Sequence, residues 1–313
     1  MVHHAKKEHV DMFIIYGLAL CLTFILFIIR YIDSSLYKAS TPVATQKVDV
    51  LVTATGTLFN PQAFSHLQIE AKAYIVYDLV DQKIIASKNE SIRLPLASVT
   101  KIMMALSSTL HAPHNAMVTI SPVSIEDGYD LGLKNKQSWK LKELLKYTLI
   151  FSSNDGAEAV ADSLGGKDVF VQQMNEDAKT FGLSLLFTDP AGRDMHGRIG
   201  GLGTALDVAK LFLLARKNIP EVLDATTKKR QTFITAGGKI SGIPNTNQEI
   251  EDYGGIEASK TGYTDLAGGN LGIIVDISVG RPVVIVVLGS TKEGRFRDVN
   301  ILYKALHASL KTK

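Results

Sequence analysis

The sequence predicts an α+β (α/β) fold in which one antiparallel sheet is flanked by helices, carries an inserted all-helical region and follows one N-terminal transmembrane helix. Two β-rich runs, residues 71–79 and 83–87, flank a short turn, and three more lie at 256–260, 270–277 and 283–288. Helical patterns occupy most of the sequence between them. Because short turns join antiparallel strands, we expect both ends of the chain to share one sheet.

Composition excludes several classes of protein. The chain has 313 residues, with 34 basic and 31 acidic side chains and a formal net charge of +3. The two signs are interspersed without a basic stripe, so no nucleic acid is expected as a partner. Cys21 is the only cysteine, which excludes internal disulfides and thiolate metal sites. The histidines show no metal-ligand spacing, so no metal site is expected.

The most apolar stretch spans residues 12–29 and carries no charge over 18 residues. A helix of this length covers roughly 27 Å, close to the hydrocarbon thickness of a bilayer. An arginine and a tyrosine follow it, as in an interfacial anchor, where a cleaved signal peptide would have small residues. We therefore expect a transmembrane signal anchor over 12–30, with cleavage as the alternative. Residues 1–11 would be a cytoplasmic tail, and the single-pass protein would hold its domain on the extracytoplasmic side of the cell membrane.

Residues 31–70 are irregular and are interpreted as a linker or approach segment. The folded domain is expected to span 71–313, with the helical region inserted at about 98–250. The glycines at 200–203 indicate a flexible loop, and 237–255 is a polar stretch without a predicted element. Helices are predicted over residues 98–110, 139–150, 156–164, 168–181, 204–217 and 297–310.

Ser98 and Lys101 form a serine–lysine pair at the start of the first predicted helix. Residues i and i+3 share a helix face, so the hydroxyl and the amine can meet. The hydroxyl would lie near the positive end of the helix dipole, and apolar neighbours would lower the pKa of the lysine towards that of a useful base. This arrangement activates a serine nucleophile without a histidine. Taken alone, the S-x-x-K spacing is equally that of an ordinary helix start.

Two further motifs follow in order. Ser152–Asn154 stands where one predicted helix ends and the next begins, a place where serine and asparagine commonly act as caps. Lys260–Gly262 stands at the end of a predicted strand, where a lysine is ordinarily a solubility charge. Together, S-x-x-K, then S-x-N about fifty residues later and K-T-G about a hundred further, form the signature of penicillin-binding proteins and class A β-lactamases.

Around these motifs the sequence resembles the penicillin-recognising serine peptidases, and most closely the low-molecular-mass D-alanyl-D-alanine carboxypeptidases. The resemblance runs from about residue 71 to the end and includes R-L-P-L-A-S-V-T-K, Asn245–Asn247 and K-T-G-Y-T-D-L-A-G-G-N-L. It implies a DD-peptidase/β-lactamase-like fold that acts on peptidoglycan stem peptides, needs no cofactor and is inhibited by β-lactam antibiotics. The family often has a cysteine where Gly269 or Asn270 stands here.

The resemblance also implies a role for each motif residue. Ser98 would be the acylated nucleophile and Lys101 its base, while Ser152 would relay a proton to the leaving D-alanine. The backbone N–H groups of Ser98 and Tyr263 would form the oxyanion hole. The substrate would be bound by Asn154, Lys260, Thr261 and Gly262.

Three alternatives share most of these residues. A DD-endopeptidase acting on cross-links would use the same catalytic set. A class A β-lactamase would need a glutamate in the loop after the S-x-N helix, and residues 185–198 contain aspartates but no glutamate, which favours the peptidase. A membrane-tethered penicillin sensor could retain every motif. A histidine-based hydrolase is less credible, because the sequence has no G-x-S-x-G motif.

Overall fold

The computed structural model describes residues 59–310, except 126–130, 132, 196 and 236. The predicted tail and membrane anchor, residues 1–30, lie outside the described residues, as does the predicted linker up to residue 58. Among the helices that the structure describes, none combines the length and apolar character needed to cross a bilayer.

The main sheet has five antiparallel strands that come from both ends of the chain, as the sequence predicts. The strands that the structure describes are β1 (Ala73–Asp78), β2 (Lys83–Lys88), β3 (Leu94–Pro95), β4 (Met117–Thr119), β5 (Ser138–Lys140), β6 (Leu186–Phe187), β7 (Gly201–Gly203), β8 (Arg230–Thr235), β9 (Gly238–Pro244), β10 (Ile256–Thr264), β11 (Gly268–Asp276) and β12 (Pro282–Ser290). The order of the main sheet is β10-β11-β12-β1-β2, so its last strand in sequence pairs with its first, and Ile75 lies opposite Val286.

The helices lie between β2 and β10 in sequence, with one more at the C-terminus. They are α1 (Lys101–His111), α2 (Leu141–Phe151), α3 (Asn154–Ser163), α4 (Lys167–Thr180), α5 (Ala205–Asn218), α6 (Pro220–Asp224) and α7 (Gly294–Ser309). Ser98 lies in a 3₁₀ turn, Ala97–Thr100, directly before α1, and not in the α-helix that the sequence predicts.

The sheet is covered on both faces, which explains why β12 is apolar throughout. Val284, Val286 and Leu288 pack into the core shared with the helical region, whereas Val283 and its alternate neighbours pack under α7. Each such side chain contributes about 1.5–3 kcal/mol on burial. The first helix, α1, is buried from Lys101 to Ser108, so it runs through the middle of the domain.

Three segments differ from the predictions. The glycines at 201–203 form strand β7, which pairs with β3 and β6 and is not a flexible loop. The polar stretch from 237 contains strand β9, which pairs with β8 in a hairpin. Residues 59–70, assigned to the linker, pack against α7: the Asn60 amide donates to the Ser309 carbonyl at 2.7 Å. The apolar residues of this segment, which join the core under α7, are Phe59, Phe64, Leu67 and Ile69.

Candidate active site

The serine–lysine pair is assembled by the turn before α1. Ala97 has a positive φ of 48°, a strained conformation for a residue with a side chain, and it turns the chain into Ser98. The Lys101 Nζ then donates to the Ser98 Oγ at 2.8 Å. The predicted contact between these side chains is therefore present, although it forms across the junction of a 3₁₀ turn and a helix.

Lys101 is fully buried and joins three parts of the chain. Besides its bond to Ser98, its Nζ donates to the Asn154 Oδ1 at 2.8 Å and to the Ala191 carbonyl at 2.9 Å. These acceptors are a hydroxyl, an amide and a backbone carbonyl, and none of the three carries a charge. The lysine is thus held in one orientation by groups that do not fix its proton as a carboxylate would.

The S-x-N motif lies at the break between α2 and α3. Ser152 ends α2 with a left-handed φ of 63°, and Ser153 caps α3 by accepting the Gly156 amide at 2.7 Å. Asn154 is the first residue of α3, two residues earlier than predicted. The middle serine is therefore the structural cap, whereas Ser152 and Asn154 direct their side chains to the two lysines.

Lys260 lies in the middle of β10 and not at its end, because the strand continues to Thr264. Its side chain is fully buried, and Nζ donates to the Ser152 Oγ at 2.9 Å and the Thr261 carbonyl at 2.8 Å. Burial, together with the nearby charges of Lys101 and Arg295, holds the pKa of Lys260 well below its usual range.

The next residues of β10 bring the strand against the turn that contains Ser98. A Cβ on Gly262 would lie 2.8 Å from the Leu96 carbonyl oxygen and 3.2 Å from the Ser98 nitrogen, so only glycine allows this approach. The predicted pair of oxyanion donors, on Ser98 and Tyr263, thus belongs to two segments that the structure places side by side. The Thr261 hydroxyl donates to that of Thr246 at 2.7 Å.

A cleft of ≈ 320 Å³ opens beside Ser98. The Asp194 Oδ2 accepts a bond from the Thr264 Oγ1 at 2.5 Å, which links the loop after β6 to the end of β10. The residues that line the cleft are Ser98, Asn154, Gly192, Arg193, Asp194, Met195, Tyr263 and Thr264. No group of His, Cys, Asp or Glu side chains in the described part of the chain could hold a metal ion.

Sequence reasoning missed several groups that contact the site. Ala191 contributes only a carbonyl oxygen, for which a sequence carries no side-chain signal. Arg295 donates through Nη1 to the Gly262 carbonyl at 2.7 Å, and burial lowers its pKa. No spacing rule links it to the K-T-G motif, which lies 33 residues away. Thr246 did have a signal, because the segment 245–247 is part of the resemblance.

Comparison with known proteins assigns the chain to a family. Residues 60–292 match the profile of the peptidase S11 family, described as D-alanyl-D-alanine carboxypeptidase. The chain belongs to this S11 family. The match confirms the resemblance that the three motifs indicated.

Individual relatives and a solved structure agree with this assignment. The D-alanyl-D-alanine carboxypeptidase DacB2 of Mycobacterium tuberculosis is 30% identical over 226 residues, 72% of this chain and 77% of that protein. A D-alanyl-D-alanine endopeptidase of Escherichia coli is 29% identical over 247 residues, 76% of this chain and 77% of that protein. The ampicillin-bound crystal structure of penicillin-binding protein D2 from Listeria monocytogenes superposes with a TM-score of 0.67 at 27% identity, covering 76% of this chain and 98% of that one.

Proposed function

We propose that this protein is a serine-type D-Ala-D-Ala carboxypeptidase that removes the terminal D-alanine from peptidoglycan stem peptides through an acyl-enzyme on Ser98. The observation that carries the proposal is the bond of 2.8 Å between the Lys101 Nζ and the Ser98 Oγ, in a chain of the S11 family. A nucleophile and a base at this separation are placed for direct proton transfer.

In acylation, the Ser98 Oγ attacks the carbonyl between the two D-alanines, and Lys101 accepts the hydroxyl proton. The backbone N–H groups of Ser98 and Tyr263 stabilise the tetrahedral oxyanion, an effect worth on the order of a hundredfold or more in rate. The proton that Lys101 accepted is relayed through Ser152 to the leaving nitrogen, so D-alanine departs and Lys101 is again a free base. Water then attacks the ester carbonyl and gives a proton to Lys101, which passes it to the Ser98 Oγ as the ester bond breaks and the shortened peptide leaves as a carboxylic acid.

The substrate carboxylate is bound by Lys260 and the Thr261 hydroxyl. Without substrate, burial and the like charges of Lys101 and Arg295 lower the pKa of Lys260. A carboxylate placed beside it would favour the protonated form, so the site gains its positive charge when the anionic substrate arrives. Asn154 holds the substrate amide, and Gly262 leaves room for the substrate backbone along β10.

The proposal extends to inhibitors and location. β-Lactams would acylate Ser98 in place of the peptide; the Listeria monocytogenes relative has been crystallised with ampicillin and with cefotaxime. The domain would be tethered to the cell membrane by residues 12–30 and lie on the extracytoplasmic side, where peptidoglycan is found. DD-endopeptidase activity on cross-links is the second candidate, since three of the relatives carry that name.

Three substrates separate these activities. Purified protein is incubated with a stem pentapeptide ending in D-Ala-D-Ala, with a cross-linked peptide dimer and with a chromogenic cephalosporin, and Ser98→Ala serves as the inactive control. We expect release of free D-alanine from the pentapeptide, absent in the variant. Faster cleavage of the dimer would make the protein an endopeptidase, and rapid turnover of the cephalosporin would make it a β-lactamase. A stable penicillin adduct without D-alanine release would indicate a sensor.

A further inference from the structure

A cluster of four charged side chains lies beside the catalytic centre, outside the three motifs. We name it the ion cluster; it consists of Glu158, Lys167, Asp189 and Arg193. The side chains of Asp189 and Glu158 are 2% and 10% exposed, respectively, so two carboxylates are buried where an unpaired charge would be costly. Their partners are the two cations of the cluster.

Asp189 organises the loop after β6. Its Oδ1 accepts the Ala191 amide at 2.9 Å and the Arg193 amide at 3.0 Å, so one carboxylate brackets the Ala191–Gly192 peptide. Its Oδ2 accepts the Lys167 Nζ at 2.7 Å and the Arg193 Nη2 at 3.1 Å. The carboxylate therefore fixes the backbone of this loop and binds both cations.

Glu158 ties the same loop to the helix that carries Asn154. It lies four residues after Asn154 in α3, on the same face of that helix. Its Oε1 accepts bonds from the Arg193 Nη2 and, at 3.2 Å, from the Lys167 Nζ. The helix that supplies one acceptor to Lys101 is thus bound to the loop that supplies another.

The loop reaches the nucleophile directly. The Ala191 carbonyl accepts the Lys101 Nζ at 2.9 Å. Gly192, with φ +78°, passes so close that a Cβ there would lie 2.0 Å from the Ala97 carbonyl oxygen. A small displacement of this loop would therefore move a hydrogen-bond acceptor of the base.

The charges of the cluster are balanced by its own members. Burial raises the pKa of Glu158, and the charges of Arg193 and Lys167 oppose that rise. Burial would also raise the pKa of Asp189, but the bonds from Lys167 and Arg193 outweigh it and hold that pKa below the usual range. Removing Glu158 would leave Asp189 as the one carboxylate of the cluster for its two cations and would remove the bond from Arg193 that ties the loop to α3.

We propose that Glu158 is a positioning residue for the acylation step: through Arg193 it holds the loop after β6 so that the Ala191 carbonyl orients Lys101 towards Ser98. The assignment rests on the proposed function. It concerns a side chain that contacts neither substrate nor nucleophile, and it acts on the orientation of the base and not on substrate binding.

The test compares Glu158→Gln with Asp78→Asn. Asp78 is a matched control, because its carboxylate is 2% exposed and pairs with Arg281, yet it lies on β1, three strands away from β10. Penicillin acylation is followed by stopped flow to give the rate constant at saturation and the half-saturating penicillin concentration. The concentration of active protein is set by titration of the active sites. We expect the rate constant of Glu158→Gln to fall about tenfold or more with the half-saturating concentration within about twofold, since misplaced catalytic groups lower rates steeply.

Glu158→Asp, which keeps the charge on a shorter arm, is expected to lie between Glu158→Gln and the wild type and carries the test if Glu158→Gln does not fold. Asp78→Asn is expected to lower the melting temperature without changing the saturating rate constant. Equal rate constants for both Glu158 variants, Asp78→Asn and the wild type would overturn the inference. If the wild-type protein forms no acyl-enzyme and releases no D-alanine, the proposed function fails first.

Discussion

Lys260 in the proposed catalytic centre and Lys167 in the ion cluster are two lysines whose surroundings differ in charge. Lys167 donates to the carboxylates of Glu158 and Asp189. Burial would lower its pKa, but these carboxylates outweigh burial and raise it. Lys260 donates to a hydroxyl and a carbonyl, and burial together with the like charges of Lys101 and Arg295 holds its pKa well below the usual range.

The difference separates two uses of a lysine, since Lys260 is fully buried and the Lys167 side chain is 32% exposed. Paired with carboxylates, Lys167 keeps its proton and serves to hold a loop in place. Lys260 donates to neutral acceptors and faces like charges, so its protonated form is less favoured, and its neighbour Lys101 is likewise bound to neutral acceptors at Ser98, Asn154 and Ala191. Proton-transfer chemistry needs the second environment, since a base must be able to lose its proton near neutral pH.

The largest expected effect comes from replacing Lys101, which is bound to neutral acceptors, and Lys167, which is bound to carboxylates, by arginine. Arginine keeps the positive charge but cannot act as a base. Lys101→Arg should lower the rate of penicillin acylation by on the order of a thousandfold. Lys167→Arg should stay within about threefold of the wild type, because an arginine still pairs with both carboxylates. Acylation is measured with a fluorescent penicillin. Similar losses in both variants would remove the distinction between the two environments.

A smaller effect, on the free energy of unfolding, is expected in the loop after β6, which joins the ion cluster to the turn that contains Ser98. Gly192→Ala should lower the free energy of unfolding by about 2–4 kcal/mol, since the new Cβ would collide with the Ala97 carbonyl and the backbone is left-handed. Gly197→Ala, in the same loop with φ +76° and no atom near its Cβ position, should cost only about 1 kcal/mol of backbone strain. Urea denaturation measures both, and equal losses would contradict the close contact.

The smallest effect is a pH dependence of stability. The pKa of Lys260 in the folded protein lies below its value of 10.5 in the unfolded chain, so the unfolded state binds more protons between the two values. The contribution of Lys260 to the free energy of unfolding therefore rises with pH in this window, towards pH 10.5. Lys260→Met should remove this rise, leaving a flatter profile between pH 7 and pH 10 in urea denaturation. Parallel profiles for the two proteins would contradict the low pKa.

The sequence predicted those features that depend on local spacing. Ser98 and Lys101 meet because they are three positions apart, and the hairpin of β1 and β2 follows from two short β-rich runs that flank a turn. The sharing of one sheet by both ends of the chain followed from the placement of strand-like segments, and β12 does pair with β1.

Features that depend on distant contacts were not predictable. The bond from Lys101 to the Ala191 carbonyl joins positions 90 residues apart and uses only backbone on one side. Lys260 was expected at a strand end because Gly262 follows it. The strand in fact continues, and position 262 is a glycine because a side chain there would collide with the turn that contains Ser98. The short strand β7 carries glycines for a similar reason: a Cβ on Gly201 would lie 2.1 Å from the Thr100 Oγ1.

The most direct test of the account is to locate the acyl group. Wild-type protein and Ser98→Ala are incubated with penicillin, and intact mass and peptide mapping are recorded by mass spectrometry. We expect one penicilloyl adduct per chain on the peptide that contains Ser98, and none on the variant, which should keep the melting temperature of the wild type within a few degrees. An adduct on another residue, or equal labelling of the Ser98→Ala variant, would contradict the assignment of Ser98 as the nucleophile.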